Sequence, residues 1–140
     1  MPSALRLPVS SRTLLEAACL KAIEIKEREG LIERARANGE YFLGKLQAQL
    51  AGSPIVGEVR GIGHWHAIDF TSNKETREPF EDDTVASVMR SMRRKGVLTT
   101  ANGHSIEMSP PLIATRQELD TAVRVAAEAI QEVAEARAAA

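Results

Sequence analysis

Apolar residues recur at helical spacing toward both ends of the chain and alternate with polar ones in the middle, a pattern that predicts helices around a small sheet. From Arg12 to Glu29 the chain is rich in good helix formers. Leu15, Ala18, Ala22 and Ile25 fall on one stripe, and Gly30 stands where a helix should stop. A second stripe, Leu31, Ala35, Phe42, Leu46 and Leu50, ends at Gly52, Ser53 and Pro54. Ile55 to Arg60 and His64 to Phe70 then read as two short strands around Gly61 and Gly63. In the second strand His66, Ile68 and Phe70 share one face, and Trp65, Ala67 and Asp69 share the other.

The stretch from Thr71 to Pro79 is polar and reads as a loop. Asp82 or Asp83 can cap a helix to about Lys95, with Val85, Val88, Met89 and Met92 inward and Gly96 as its stop. Val97 to Thr99 and Ser105 to Met108 suggest two further strands joined through Asn102-Gly103. Thr115 and Glu118 have capping-box spacing ahead of a last helix, whose stripe is Leu119, Val123, Ala126, Ile130 and Val133. The alanine-rich end after Ala134 is expected to fray. The fold class is therefore α+β, a small antiparallel or mixed sheet of about four strands covered by helices.

Composition narrows the partners. The chain has 140 residues, enough for one compact core, and a formal net charge of −1 gives no pull toward nucleic acid or an acidic membrane. No apolar run is long enough to span a bilayer. Met1 to Arg12 lacks the apolar centre of a secretory signal, and a transit peptide has only weak support there. The single cysteine, Cys19, excludes an intrachain disulfide and suits a reducing cytoplasmic setting; among helical alanines it reads as a buried small side chain.

Three ordered segments carry a resemblance. "IEIKEREGLIERARANGEYFLGKLQAQL", "IVGEVRGIG" and "GVLTTANGHSIEMSPPLIATRQELDTAV" together resemble the C-terminal small domain of class-III aminotransferases, with "VRGIG" and "SPPLI" the most specific parts. The likeness runs from about Leu15 to Val133. Residues 1–14 form a segment without it, the domain ends near residue 137, and 138–140 make a frayed tail. The resemblance implies the small-domain fold of fold-type I pyridoxal-phosphate enzymes. It also implies a two-domain, usually dimeric enzyme that moves an amino group from an amine or amino acid to a keto acid. In that family a lysine of the large domain holds pyridoxal 5′-phosphate as a Schiff base. An acidic residue meets the pyridinium nitrogen, and loop amides and hydroxyls hold the phosphate. Lys21, Lys26, Lys45, Lys74 and Lys95 all lie in charged helical stretches or a polar loop and read as surface charge. The chain by itself is thus expected to bind no cofactor and to be inactive. It would be a truncated reading frame, a separated gene piece or an engineered excision awaiting a large PLP-binding domain.

The same resemblance supplies site candidates. Many amine-accepting members bind the substrate carboxylate through an arginine after the third helix, where this sequence has Thr100. A related branch has its arginine just before the paired prolines, and the match is Glu107. Both anchors are absent. The enzyme then takes the carboxylate elsewhere, prefers an unusual amine, or has lost the activity. Arg60, Gly61 and Gly63 match a structural motif: the arginine bonds carbonyls or a carboxylate near the domain junction, and the glycines allow a turn and close backbone approach.

Other features read plainly. His64 and His66, two apart, would share a strand face, exposed or at an interface, and lack an evident third metal ligand. Trp65 reads as packing. Arg90, Arg93, Arg94 and Lys95 suit a helix C-terminus and need no nucleic acid. Leu14, Leu15, Leu20 and Ile23 put apolar residues on more than one side of the first helix, so self-association is expected. The competing reading is a stand-alone α+β module that binds a partner or dimerises without catalysis.

Overall fold

The computed structural model describes residues 9–139, with side chains from Thr13 onward. Residues 1–8 of the expected N-terminal segment 1–14 therefore fall outside the described residues, as does the last residue of the expected tail 138–140. The chain forms two units, residues 1–33 and 34–140. The first carries helix α1, Val9–Arg28. From Thr13 onward it is exposed nearly throughout: Leu14 is 72%, Leu15 55%, Leu20 69% and Ile23 51% accessible. Cys19 is exposed as well, against the expectation of burial, because a unit built on α1 has no apolar core of its own in which to bury it.

Helix α2, Leu31–Leu50, runs into the second unit, where Phe42, Leu46 and Leu50 are buried on one stripe. Strands β1 (Val56–Ile62), β2 (Trp65–Phe70), β3 (Thr100–Asn102) and β4 (Ser105–Met108) form one antiparallel sheet in the order β1-β2-β4-β3. Helix α3, Thr84–Arg94, and helix α4, Arg116–Ala138, complete the layer. The buried face of the sheet carries His66, Ile68, Ile106 and Met108. Val88, Met92, Leu119, Val123 and Ala126 join them in one core with the α2 stripe.

Local chemistry fixes the helix ends. Asp83 holds the N-cap position of α3 but makes no side-chain cap bond; Asp82 supplies the carboxylate instead, its Oδ1 accepting the Thr84 amide at 2.9 Å and the Thr84 hydroxyl as well. The capping box of α4 is complete, with the Thr115 amide donating to Glu118 Oε2 at 2.7 Å and the Glu118 amide to Thr115 Oγ1 at 3.3 Å. The helix runs past Ala134 to Ala138 where the alanines suggest fraying. Arg137 accounts for this, since it donates to Asp82 at 2.5 Å and Thr84 at 2.7 Å and lies over the Phe80 ring at 4.4 Å.

Strand β3 lies three residues later than the sequence pattern suggests. The Val97 amide donates to the Met92 carbonyl at 3.0 Å, closing the end of α3, and so it cannot join the ladder. Pairing then begins at Thr100 opposite Glu107 and ends at Asn102 opposite Ser105. At the sheet's other edge, β1 carries a register shift between Val56 and Glu58, and Gln47 donates to the Val59 carbonyl at 3.0 Å.

The β1–β2 turn is locked to α2 through two glycines. Gly63 has φ +55°, and a Cβ built on Gly39 would lie 1.8 Å from the Gly63 carbonyl oxygen. Gly61 is equally constrained, because a Cβ there would come 2.4 Å from the His66 ring and 2.7 Å from the Trp65 oxygen.

Candidate functional site

The outer face of the sheet is where the sequence-derived candidates meet. Register places Arg60 opposite Ala67, Ala67 opposite Glu107, and Glu107 opposite Thr100. Directly paired antiparallel residues point to the same side, so these four form one row across all four strands. Arg60 and Thr100 are exposed and Glu107 is half-buried. Gly61 lies in the next row, opposite His66, and Gly63 lies in the turn beyond.

Electrostatics along this face are unequal. Arg60 donates to Asp69 and lies 3.6 Å from Glu58, and Asp69 also accepts from Ser105 Oγ at 2.5 Å. Arg60 is therefore held by a braced carboxylate. Glu107 carries no hydrogen bond or ion pair among the described residues. Around it Arg60, Ile62, Trp65, Ala67, Asn102 and Ser105 line an open hollow of about 480 Å³. Trp65 is 63% and Ile62 82% accessible, so the tryptophan is not the packing residue its isolation in sequence suggests.

The histidines depart from expectation. His64 lies in the turn, not on the strand, and both His64 and His66 are buried. His64 Nδ1 is 3.1 Å from the Pro110 oxygen, and His66 Nε2 is 3.2 Å from the Gly39 oxygen. Phe42 meets the His66 ring edge-on at 5.0 Å. The glycine-tight turn draws both rings inward, so neither forms part of an exposed face. No group of metal-ligating residues forms among the described residues.

Desolvation pushes the His66 pKa below its ordinary 6.5, opposed by the backbone of Gly39 and Met108 and reinforced by nearby His64. Below pH 6.5 the unfolded chain takes up a proton that the folded chain refuses. The stability His66 contributes is thus present above pH 6.5 and is lost as pH falls. Denaturant titrations should show stability falling by up to about 1.4 kcal/mol per pH unit as pH drops below about 6.5. His66→Phe should flatten that slope, and an unchanged slope would contradict the assignment. Glu118, Glu128 and Glu132 have pKa values held below 4.5 by hydrogen bonds, from Thr115, Arg124 and Ser91 in turn, and so act in a separate, more acidic window.

The basic cluster of α3 is largely engaged by acidic neighbours. Arg94 donates to Glu132 at 2.9 Å and Arg90 to Asp83 at 2.6 Å, while Lys95 lies 3.7 Å from Glu132. The lysines do not fit the needs of a Schiff-base cofactor. Lys21 pairs with Glu24 at 2.7 Å on α1, Lys26 is exposed on the same helix, Lys45 lies 5.4 Å from the Tyr41 ring, and Lys74 is in an exposed loop. None is on a strand of the outer face. No helix among the described residues is long and apolar enough to cross a membrane.

A two-layer α+β domain with helices on one sheet face and a polar, open row on the other is the class that fold and site define. The family described as Aminotransferase class-III matches residues 12–130. The chain is 33% identical over 128 residues to a putrescine–pyruvate aminotransferase of Pseudomonas aeruginosa, covering 91% of this chain and 28% of that protein. It is 36% identical over 117 residues to a probable gamma-aminobutyrate transaminase of Oryza sativa subsp. japonica, covering 82% and 24%. A PLP-bound amine transaminase from an uncultivated Pseudomonas species superposes with a TM-score of 0.79 at 36% identity, covering 83% of this chain and 27% of that one. The chain belongs to the class-III aminotransferase family, and it spans about a quarter of the length of these relatives.

Proposed function

We propose that this chain is the small-domain part of a class-III aminotransferase, and that its outer sheet face is the surface a large PLP-binding domain covers. The observation that carries this reading is the row Arg60, Ala67, Glu107 and Thr100, left open beside exposed Ile62 and Trp65 in a chain with a well-formed core on the opposite face. Apolar side chains of that size facing water are characteristic of a surface that another body covers. In the assembled enzyme, Arg60 braces the junction through Asp69, and Thr100 and Glu107 face the substrate pocket. The amino donor is an amine or amino acid, the acceptor a keto acid, and the setting cytoplasmic. Exposed Leu14, Leu15, Leu20 and Ile23 support association of α1 with a second copy or with the rest of the enzyme.

The cofactor, when bound, supplies the electron sink for amino transfer. This chain's residues contribute position and charge at the pocket wall and no Schiff-base lysine, so the chain alone should be inactive. The test is a titration with pyridoxal phosphate followed by borohydride reduction and peptide mapping. Scattered or absent lysine labelling is expected. One lysine labelled at stoichiometric cofactor would overturn the reading and identify a cofactor site within the chain.

A further inference from the structure

We propose that Asn102 is a site of spontaneous covalent modification, where the Gly103 amide nitrogen displaces ammonia from the asparagine side chain and leaves aspartate or isoaspartate. The sequence holds the same tripeptide twice, Ala37-Asn38-Gly39 and Ala101-Asn102-Gly103. Asparagine is chemically labile, most of all before glycine, which has no Cβ to shield the attacking nitrogen. The two places start from the same local chemistry, and the fold decides between them.

Asn38 is protected. It is buried within α2, its side-chain amide donates to the Ala114 oxygen at 3.3 Å, and helical geometry commits the Gly39 amide to the carbonyl four residues back. Asn73, the remaining asparagine, has its Oδ1 accepting from the Glu75 and Thr76 amides at 2.9 and 3.2 Å. Asn102 has none of these restraints. It is exposed, its side chain makes no hydrogen bond among the described residues, and it ends the three-residue edge strand β3. Gly103 follows at φ +59° in the turn between Asn102 and Ser105. The His104 oxygen ties that turn to β2 by accepting the Phe70 amide at 3.0 Å, but the Gly103 amide has no partner among the described residues. A short edge strand opens locally at low cost, which frees Asn102 to swing its side-chain carbon onto the Gly103 nitrogen.

The bonds balance without a redox partner. Gly103 N bonds to Asn102 Cγ, its proton leaves with the side-chain nitrogen as ammonia, and a cyclic imide closes. One water then opens the ring. Attack at Cγ gives aspartate on the original backbone; attack at the main-chain carbon gives isoaspartate, whose backbone runs through Cβ and Cγ. Register places Asn102 opposite Ser105, Ser105 opposite Asp69 and Asp69 opposite Glu58, so either product adds a carboxylate to a row already holding two acids. Isoaspartate also lengthens the end of β3 and disturbs its pairing with β4.

Each asparagine falls in its own tryptic peptide, 37–45, 61–74 or 96–116. The folded chain, aged at mildly alkaline pH and mapped by mass spectrometry, should gain about 1 Da in peptide 96–116 at least about tenfold faster than in peptide 37–45. In urea the two peptides should convert at similar rates. Asn102→Gln should abolish the early product in the folded chain, because the larger ring closes far more slowly. Peptide 96–116 staying intact in the folded chain while it converts in urea would overturn the proposal. So would equal rates at Asn38 and Asn102 in the folded chain, or an early product that survives Asn102→Gln.

Discussion

Gly39→Ala should unfold the chain or leave it without fixed tertiary packing. The added methyl would stand 1.8 Å from the Gly63 carbonyl oxygen, 2.5 Å from its carbon and 2.9 Å from its Cα. All three are backbone atoms in a turn whose φ of +55° leaves little freedom to move. Relief requires α2 and the β1–β2 turn to separate, which also breaks the contact between His66 Nε2 and the Gly39 oxygen. The cost is at least about 3 kcal/mol. Against a whole-domain stability of roughly 5–15 kcal/mol, that is enough to lose the native state under mild stress. Gly44→Ala on the same helix is the control. Nothing lies within 4 Å of a Cβ there, so removing unfolded-state freedom should stabilise by about 0.5–1 kcal/mol. Urea midpoints of the two variants should move in opposite directions, and a Gly39→Ala midpoint close to the parent's would refute the close-contact argument.

Phe42→Ala carries the second large effect. Phe42 is 1% exposed and packs edge-on against His66, so its removal leaves a cavity in the centre of the core and should cost about 3–5 kcal/mol. It should also alter the pH profile. Water entering the cavity relieves the desolvation that holds the His66 pKa down, so the pKa returns toward 6.5. Stability measured at pH 7 and at pH 5.5 should then differ less in the variant than in the parent. An equal or larger difference would show that the lowered pKa has another source.

Much of this was legible in the sequence because the signals were local. The 3.6-residue stripes of α2 and α4, the Thr115–Glu118 box and the alternation of β2 depend on neighbours a few residues apart. Where the reading failed, a distant partner decided. Val97 to Thr99 has strand composition, yet the Val97 amide is taken by Met92. Alternation predicts one face for His64 and His66, but the Gly39–Gly63 contact draws the turn inward and buries both rings. The persistence of α4 depends on Arg137 meeting Asp82, 55 residues away. The candidate site was legible as a set of residues through family likeness, but not as a row, since register across four strands is not written in any one segment. That Arg60 is engaged by Asp69, which in turn accepts from Ser105, while Glu107 has no partner among the described residues, is displayed only by the folded sheet.

The treatment of β1 and β3 governs how this chain can associate. An edge strand with open amides and carbonyls is a template for strand addition and, through it, for fibrils. Here β3 is only three residues long, while β1 is distorted by its register shift near Gly57 and has the Val59 carbonyl occupied by Gln47. Neither edge offers a long flat ladder to another molecule. Self-association should therefore proceed through apolar side chains, as on α1, giving oligomers that dissociate on dilution, and the chain should stay out of cross-β aggregates while folded.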